Sequence, residues 1–179
     1  MALEPFLRPW VGQALRHIPA DSSHDVLDFR LAGQSVLNRW NQPGEPTLYL
    51  ASDRAVVLAE FARHFDENRA PGLIARAVER SVFRFDLVLD ALLDLRDPQL
   101  QQELSLRDAP ARFLDRAVTR ATAEYLRRTT PAQALLVPSI AFLDDPARWL
   151  LVLFLDKLPA DREVFIRGVR SEGTFRVEG

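Results

Sequence analysis

Two hydrophobic periods occur in one chain, and together they constrain the fold more than any other feature. Val82, Phe83, Phe85, Leu87 and Leu89 alternate as a strand that leaves the core and returns to it, whereas Phe113, Ala117, Ala121 and Tyr125 recur at helical spacing through Ala111 to Arg128. No repeat, low-complexity tract or linker separates the two patterns, so strands and helices must share a core and the fold class is α+β. A length of 179 residues suits one domain, and 47% hydrophobic with 27% charged residues is a globular balance, unlike that of a disordered or membrane chain.

The remaining elements follow from turn residues and local pattern. Residues 4–18 read as a short helix within an N-terminal extension (1–20), because Leu7, Val11, Leu15 and Ile18 lie about one turn apart. Val26 to Arg30 reads as a strand and Leu31 to Pro46 as a loop with a turn at Gln42-Pro43-Gly44-Glu45. Thr47 to Ala51 is rich in strand formers, and Ser52 or Asp53 caps a helix through His64. A turn is expected at residues 68–72, with helix permitted before Ser81. Asp97-Pro98 opens a mostly helical stretch that Thr129-Thr130-Pro131 ends. Ala134 to Val137 and Trp149 to Leu155 read as buried strands separated by a break at Asp144-Asp145-Pro146, and residues 163–177 read as a hairpin turning at Ser171-Glu172-Gly173.

Several function classes are excluded early. Without cysteine there is no disulfide scaffold, thiolate zinc site or cysteine nucleophile. The N-terminus mixes charges and prolines into its apolar residues, so it lacks a signal-peptide core, and no run of about 18 apolar residues predicts a membrane span. A cytoplasmic location is expected. A net charge of -2 argues against a nucleic-acid binder that works by phosphate neutralisation. Lys157 is the sole lysine, and the arginines are scattered in the way genome composition alone would scatter them. Walker A, GxGxxG, HExxH and GxSxG patterns are missing, and His17, His24 and His64 have no metal-ligand spacing, so no metal is expected.

What stands out is a cluster of polar residues beside strand ends: Arg30, then Asn38-Arg39-Trp40-Asn41, Tyr49-Leu50-Ala51, and Glu60 on the following helix. Two arginines, an aromatic and a helical carboxylate suit a ligand that is anionic at one end and develops a cation at the other, as NAD does. Arginine forks match phosphate oxygens, a tyrosine ring can stack on the nicotinamide or its ribose, and a carboxylate stabilises the oxocarbenium-like state as nicotinamide leaves. Plainer readings stand beside these. The arginines suit an ordinary surface, Trp40 a loop anchor, Tyr49 a buried strand position, Glu60 an i,i+3 pair with Arg63, and Ser139 a turn.

At these residues the chain resembles the RES domain family. Arg30, Arg39-Trp40-Asn41 and Tyr49-Leu50-Ala51 with Glu60 look like its N-terminal motifs, and Leu135-Leu136-Val137-Pro138-Ser139 looks like the segment that supplies its serine. The resemblance covers residues 26–155, and the arginine, glutamate and serine that name the family fall at Arg39, Glu60 and Ser139.

The resemblance implies an ADP-ribosyltransferase-like fold with a split β-core and surrounding helices. It implies a toxin that degrades NAD by cleaving the nicotinamide–ribose bond, as glycohydrolase or phosphorylase. The alternatives are transfer of ADP-ribose to a protein, or a degenerate domain that binds nucleotide or partner without turnover. NAD would be substrate and no cofactor is needed. An Xre-like antitoxin is the implied partner, and a homo-oligomer is left open. By the same resemblance Arg30 and Arg39 bind phosphates and ribose, Tyr49 packs by the nicotinamide riboside, Glu60 stabilises the cation, and Ser139 hydrogen-bonds ribose or carboxamide. The family usually has two glycines where this chain has Leu37 and Asn38, so the loop here must differ in shape or fit the dinucleotide less closely.

Overall fold

The first strand begins where helical spacing was read. In the computed structural model, which describes residues 3–67 and 78–177, the N-terminal segment is strand β1 (Arg8–Pro19) after a short 3-10 turn at Glu4–Phe6. The physical reason is that residues four apart share a face both in a helix and in a strand, so Leu7, Val11 and Leu15 could not separate the two. Pairing decides it: β1 runs antiparallel to β3 (Val78–Asp94), from Arg8↔Leu92 to Pro19↔Arg80. The N-terminal segment is therefore part of the sheet and not a helical extension.

The other strands are β2 (Thr47–Ala51), β4 (Ala134–Pro138), β5 (Trp149–Phe154) and β6 (Ile166–Val177). They hydrogen-bond in the order β1-β2-β5-β4-β3-β6, and the added β1–β3 pairing closes the first five into a barrel. All pairs are antiparallel except β3–β4. Strands β4 and β6 share one edge of β3: β6 lies along Val78 to Leu87, and β4 along Leu92 to Asp94. The expected α+β class is what the structure has, with a closed five-stranded ring in place of the split core.

The interior and exterior faces are both covered, which is why β2, β4 and β5 read as nearly unbroken apolar runs. Leu50, Phe85, Leu87, Leu136, Leu151 and Leu153 fill the inside. Leu135, Val137, Val152 and Phe154 face outward onto Trp40, Phe113 and Leu126. Helix α1 (Arg54–Glu67) covers a smaller group in which Leu15 and Ala51 meet Val56 and Val57.

Val26 to Arg30 forms turns and no strand, because Asp25 Oδ1 accepts from Leu27 N at 2.6 Å and Asp28 Oδ1 from Arg30 N at 3.1 Å, and these local bonds compete with a ladder. The stretch from Ala111 to Arg128 is broken at Asp115, which caps α3 (Arg116–Thr129) after a 3-10 turn at Ala111–Leu114. Its buried face carries Thr119, Ala123, Leu126 and Arg127, while Ala117, Ala121 and Tyr125 are exposed. Apolar periodicity missed that face because two of its members are polar and satisfied: Thr119 Oγ1 donates to Arg116 O at 3.1 Å, and Arg127 Nη1 to Thr47 Oγ1 at 3.1 Å.

The C-terminal segment is one strand and no hairpin. Between Phe83↔Ser171 and Val82↔Gly173 the register shifts, so Glu172 bulges and Gly173, at φ +103°, serves the bulge instead of a turn. Helix α2 (Pro98–Glu103) starts as read, with Asp97 capping it. The turn expected at residues 68–72 and the helix allowed just before β3 lie outside the described residues.

Phe85 is fully buried inside the ring, whereas Val11 is 75% exposed. Phe85→Ala is expected to lower unfolding free energy by about 3–5 kcal/mol, and Val11→Ala to change it by less than about 0.5 kcal/mol, both read by chemical denaturation. Equal effects would contradict the placement of the core inside the ring.

Candidate active site

The ring is thinnest between β1 and β2, which share the single register pair Leu15↔Ala51. Beyond that pair Arg16 and His17 on one strand diverge from Leu50 and Tyr49 on the other, and a cavity of about 200 Å³ opens between them. Helix α1 and the loop before β2 complete its walls, through Glu60 and Arg39 among others.

Glu60 is placed by the start of its helix. Asp53 Oδ1 accepts from Val56 N at 3.1 Å, and Val56 and Val57 bury against the ring, which leaves the next turn beside the cavity. Both carboxylate oxygens are engaged. Oε1 accepts from Ser139 Oγ at 2.6 Å and from Ala141 N at 3.4 Å, and Oε2 lies 3.6 Å from Arg63 Nε. Ser139 follows the end of β4 and is fully buried, so its hydroxyl meets Glu60 from behind and does not line the cavity. The expected pair with Arg63 is present, and it is only half of what orients this carboxylate.

Tyr49 lines the cavity with its hydroxyl already committed. It accepts from Trp40 N at 2.9 Å and donates to Asn41 Oδ1 at 2.8 Å, while Asn41 Nδ2 donates to Gly33 O at 2.9 Å. Burial pushes this hydroxyl well above the ordinary tyrosine range, so it stays protonated. The loop is closed at its base by Gly33, with φ +87°, where a Cβ would lie 1.9 Å from Glu45 O. Arg39 leans from this loop toward the helices, and its Nη1 donates to Leu114 O at 2.7 Å and Phe113 O at 3.3 Å. Leu37 and Asn38 adopt no positive φ, so the loop is built from ordinary backbone where glycines were expected.

Arg30 is not brought to the cavity. Its side chain, 77% exposed, forks onto Asp28 at 2.9 and 2.6 Å and holds that carboxyl well below the usual range. The physical reason is the turn at Asp28, which offers a local partner.

Arg16 and His17, missed because β1 was read as a helix, stand in the cavity wall instead. Arg16 donates to the carbonyls of Val26 and, at 3.3 Å, Asp28, and burial lowers its pKa. His17 Nδ1 accepts from Arg80 Nε at 2.9 Å, which places the imidazole proton on Nε2. Burial brings Arg80 down to about 10, so it is still a cation at neutral pH. Residues 14–17 run as two apolar residues, Ala14 and Leu15, and then two polar ones, Arg16 and His17, so no local alternation marked them. In sum the cavity sets one oriented carboxylate among Arg16, Arg39 and Arg63, a setting that suits an anion-bearing ligand and a developing positive charge beside Glu60. Among the described residues no group of three His, Asp or Glu could hold a metal ion.

A family model described as the RES domain matches residues 13–176. Among solved structures the chain is similar to one in the crystal structure of the M. tuberculosis MbcT–MbcA toxin–antitoxin complex. The TM-score is 0.59 at 18% identity, and the match covers 96% of this chain and 86% of that one. No curated protein matches.

Tyr49→Phe removes the hydroxyl and leaves Trp40 N–H and Asn41 Oδ1 without their shared partner. The expected cost is about 1–3 kcal/mol of unfolding free energy, measured in urea. A variant as stable as the parent would mean that the hydroxyl does not hold the loop.

Proposed function

The chain belongs to the RES domain family over residues 13–176, and from that premise we propose that it is a toxin that degrades NAD by breaking the bond between nicotinamide and ribose. The observation that carries the reading is the setting of Glu60, a carboxylate held at 2.6 Å by a buried serine and turned toward a cation-lined cavity. A cavity of about 200 Å³ is smaller than the roughly 300–1,000 Å³ of sites that enclose a drug-sized ligand. It takes one end of the dinucleotide, and the pyrophosphate stays near its mouth.

In this reading the nicotinamide riboside enters between β1 and β2 with the Tyr49 ring beside it. The C1′–N1 bond breaks and its electron pair leaves with nicotinamide, which departs neutral. Glu60 faces the cation left on the ribose and stabilises it, then a water, which gives up one proton to solvent, or a phosphate adds to C1′. Ser139 acts through Glu60, since its hydroxyl is buried against that carboxylate. Arg16 and Arg39 are already turned by their carbonyl partners, so little order need be imposed on them when the phosphates arrive. Arg30 has no part in it.

The same reading gives the domain an ADP-ribosyltransferase-like relationship, a bacterial cytoplasmic setting and an Xre-like antitoxin that covers the cavity. The similar solved structure is itself a toxin with its antitoxin, which supports the partner. Admission of a protein side chain in place of water or phosphate would make the enzyme an ADP-ribosyltransferase.

Purified protein incubated with NAD is expected to release nicotinamide, followed by chromatography. Glu60→Gln keeps the volume and removes the charge, and should slow release by about 10²–10³-fold at unchanged thermal stability. A parent that binds NAD without releasing nicotinamide would be a binding module, and a Glu60→Gln protein as fast as the parent would remove Glu60 from the mechanism.

A further inference from the structure

We infer that Arg120 is the positioning residue that gives the cavity its loop wall, and that through this wall it sets how tightly NAD is held; the inference rests on the NAD reading above. Four consecutive residues of that wall, Leu37, Asn38, Arg39 and Trp40, belong to no helix or strand. A segment outside any ladder must find donors for its carbonyls elsewhere. Arg120 on α3 supplies them. Its Nε and Nη2 donate to Asn38 O at 3.0 and 2.7 Å, and Nη2 also donates to Val36 O at 2.5 Å. One planar fork thus spans carbonyls two residues apart, which fixes both the position and the tilt of the segment. A lysine ammonium, a point charge on a flexible stem, cannot copy that geometry.

The contact is reciprocal. Arg39 crosses from the loop to Phe113 O and Leu114 O, and the Trp40 ring meets Phe113 edge to face with centroids 5.2 Å apart. The helix that carries Arg120 is fixed in turn to the far wall. Seven residues on, Arg127 donates to Thr47 Oγ1 at 3.1 Å and Pro46 O at 3.0 Å, at the start of the strand that bears Tyr49. Beside the direct tie from Tyr49 to Trp40 N and Asn41 Oδ1, the loop and the strand are thus also joined through one helix and two arginine forks. This clasp shares no hydrogen bond with the Glu60–Ser139 pair. Its loss should fall on binding and spare the bond-breaking step.

The test compares the parent, Arg120→Ala and Arg120→Lys in steady-state nicotinamide release from NAD, with amide hydrogen exchange on the same proteins. Arg120→Ala is expected to raise KM about tenfold with kcat within about twofold of the parent, and to speed exchange in residues 33–41 while β3 and β5 stay protected. Arg120→Lys should recover part of the affinity. An unchanged KM in a folded Arg120→Ala, or a fall in kcat with KM unmoved, overturns the inference. If the alanine variant does not fold, Arg120→Lys decides by the same KM criterion. If the parent releases no nicotinamide, the NAD reading fails by itself. The clasp is then judged by exchange, where faster exchange confined to residues 33–41 upholds it and unchanged exchange overturns it.

Discussion

The antiparallel ladder between β1 and β3 is the constraint on which the rest depends. It holds the N-terminal segment along β3 from Arg8↔Leu92 to Pro19↔Arg80, and so closes a five-stranded ring that would otherwise be an open sheet. The other edge of β1 meets β2 only at Leu15↔Ala51. The cavity lies at that seam, where the ladder between the two strands is shortest.

Beside the cavity, polar side chains hold the loop that no ladder holds. Asn41 and Tyr49 satisfy each other and the loop backbone, Arg39 and Arg120 tie loop to helix, and Arg127 reaches Thr47, Pro46 and Asp156. Arginine is suited to this work because a fork can serve two carbonyls from one side chain. The near absence of lysine, which composition alone would explain, thus coincides with a structural use for arginine in this fold.

Much of the fold was legible because β2, β4 and β5 are covered on both faces and write that as continuous apolar runs, and because Asp53 and Asp97 mark helix starts. Where partners far along the chain decide, local pattern failed. β1 has a spacing common to both periodicities, β6 has a glycine that serves a bulge, and α3 buries Thr119 and Arg127 on a face that apolar periodicity could not find. The site divides in the same way. Glu60, Tyr49 and Arg39 line one cavity, and Ser139 meets Glu60 and not the cavity. Arg30, expected to bind phosphates and ribose, forks onto Asp28 two positions away. Arg16 and His17 were hidden by the misread strand.

The single register pair at the seam has a consequence for how such a domain can be altered. Parting β1 from β2 there breaks few backbone bonds and leaves the β1–β3 ladder whole, so the mouth can breathe without the barrel melting. Specificity and robustness are thereby carried by different edges of the same strand. The exposed stretch of the loop before β2 can be recut to admit another ligand, while Trp40, Asn41 and the packing inside the ring are left alone.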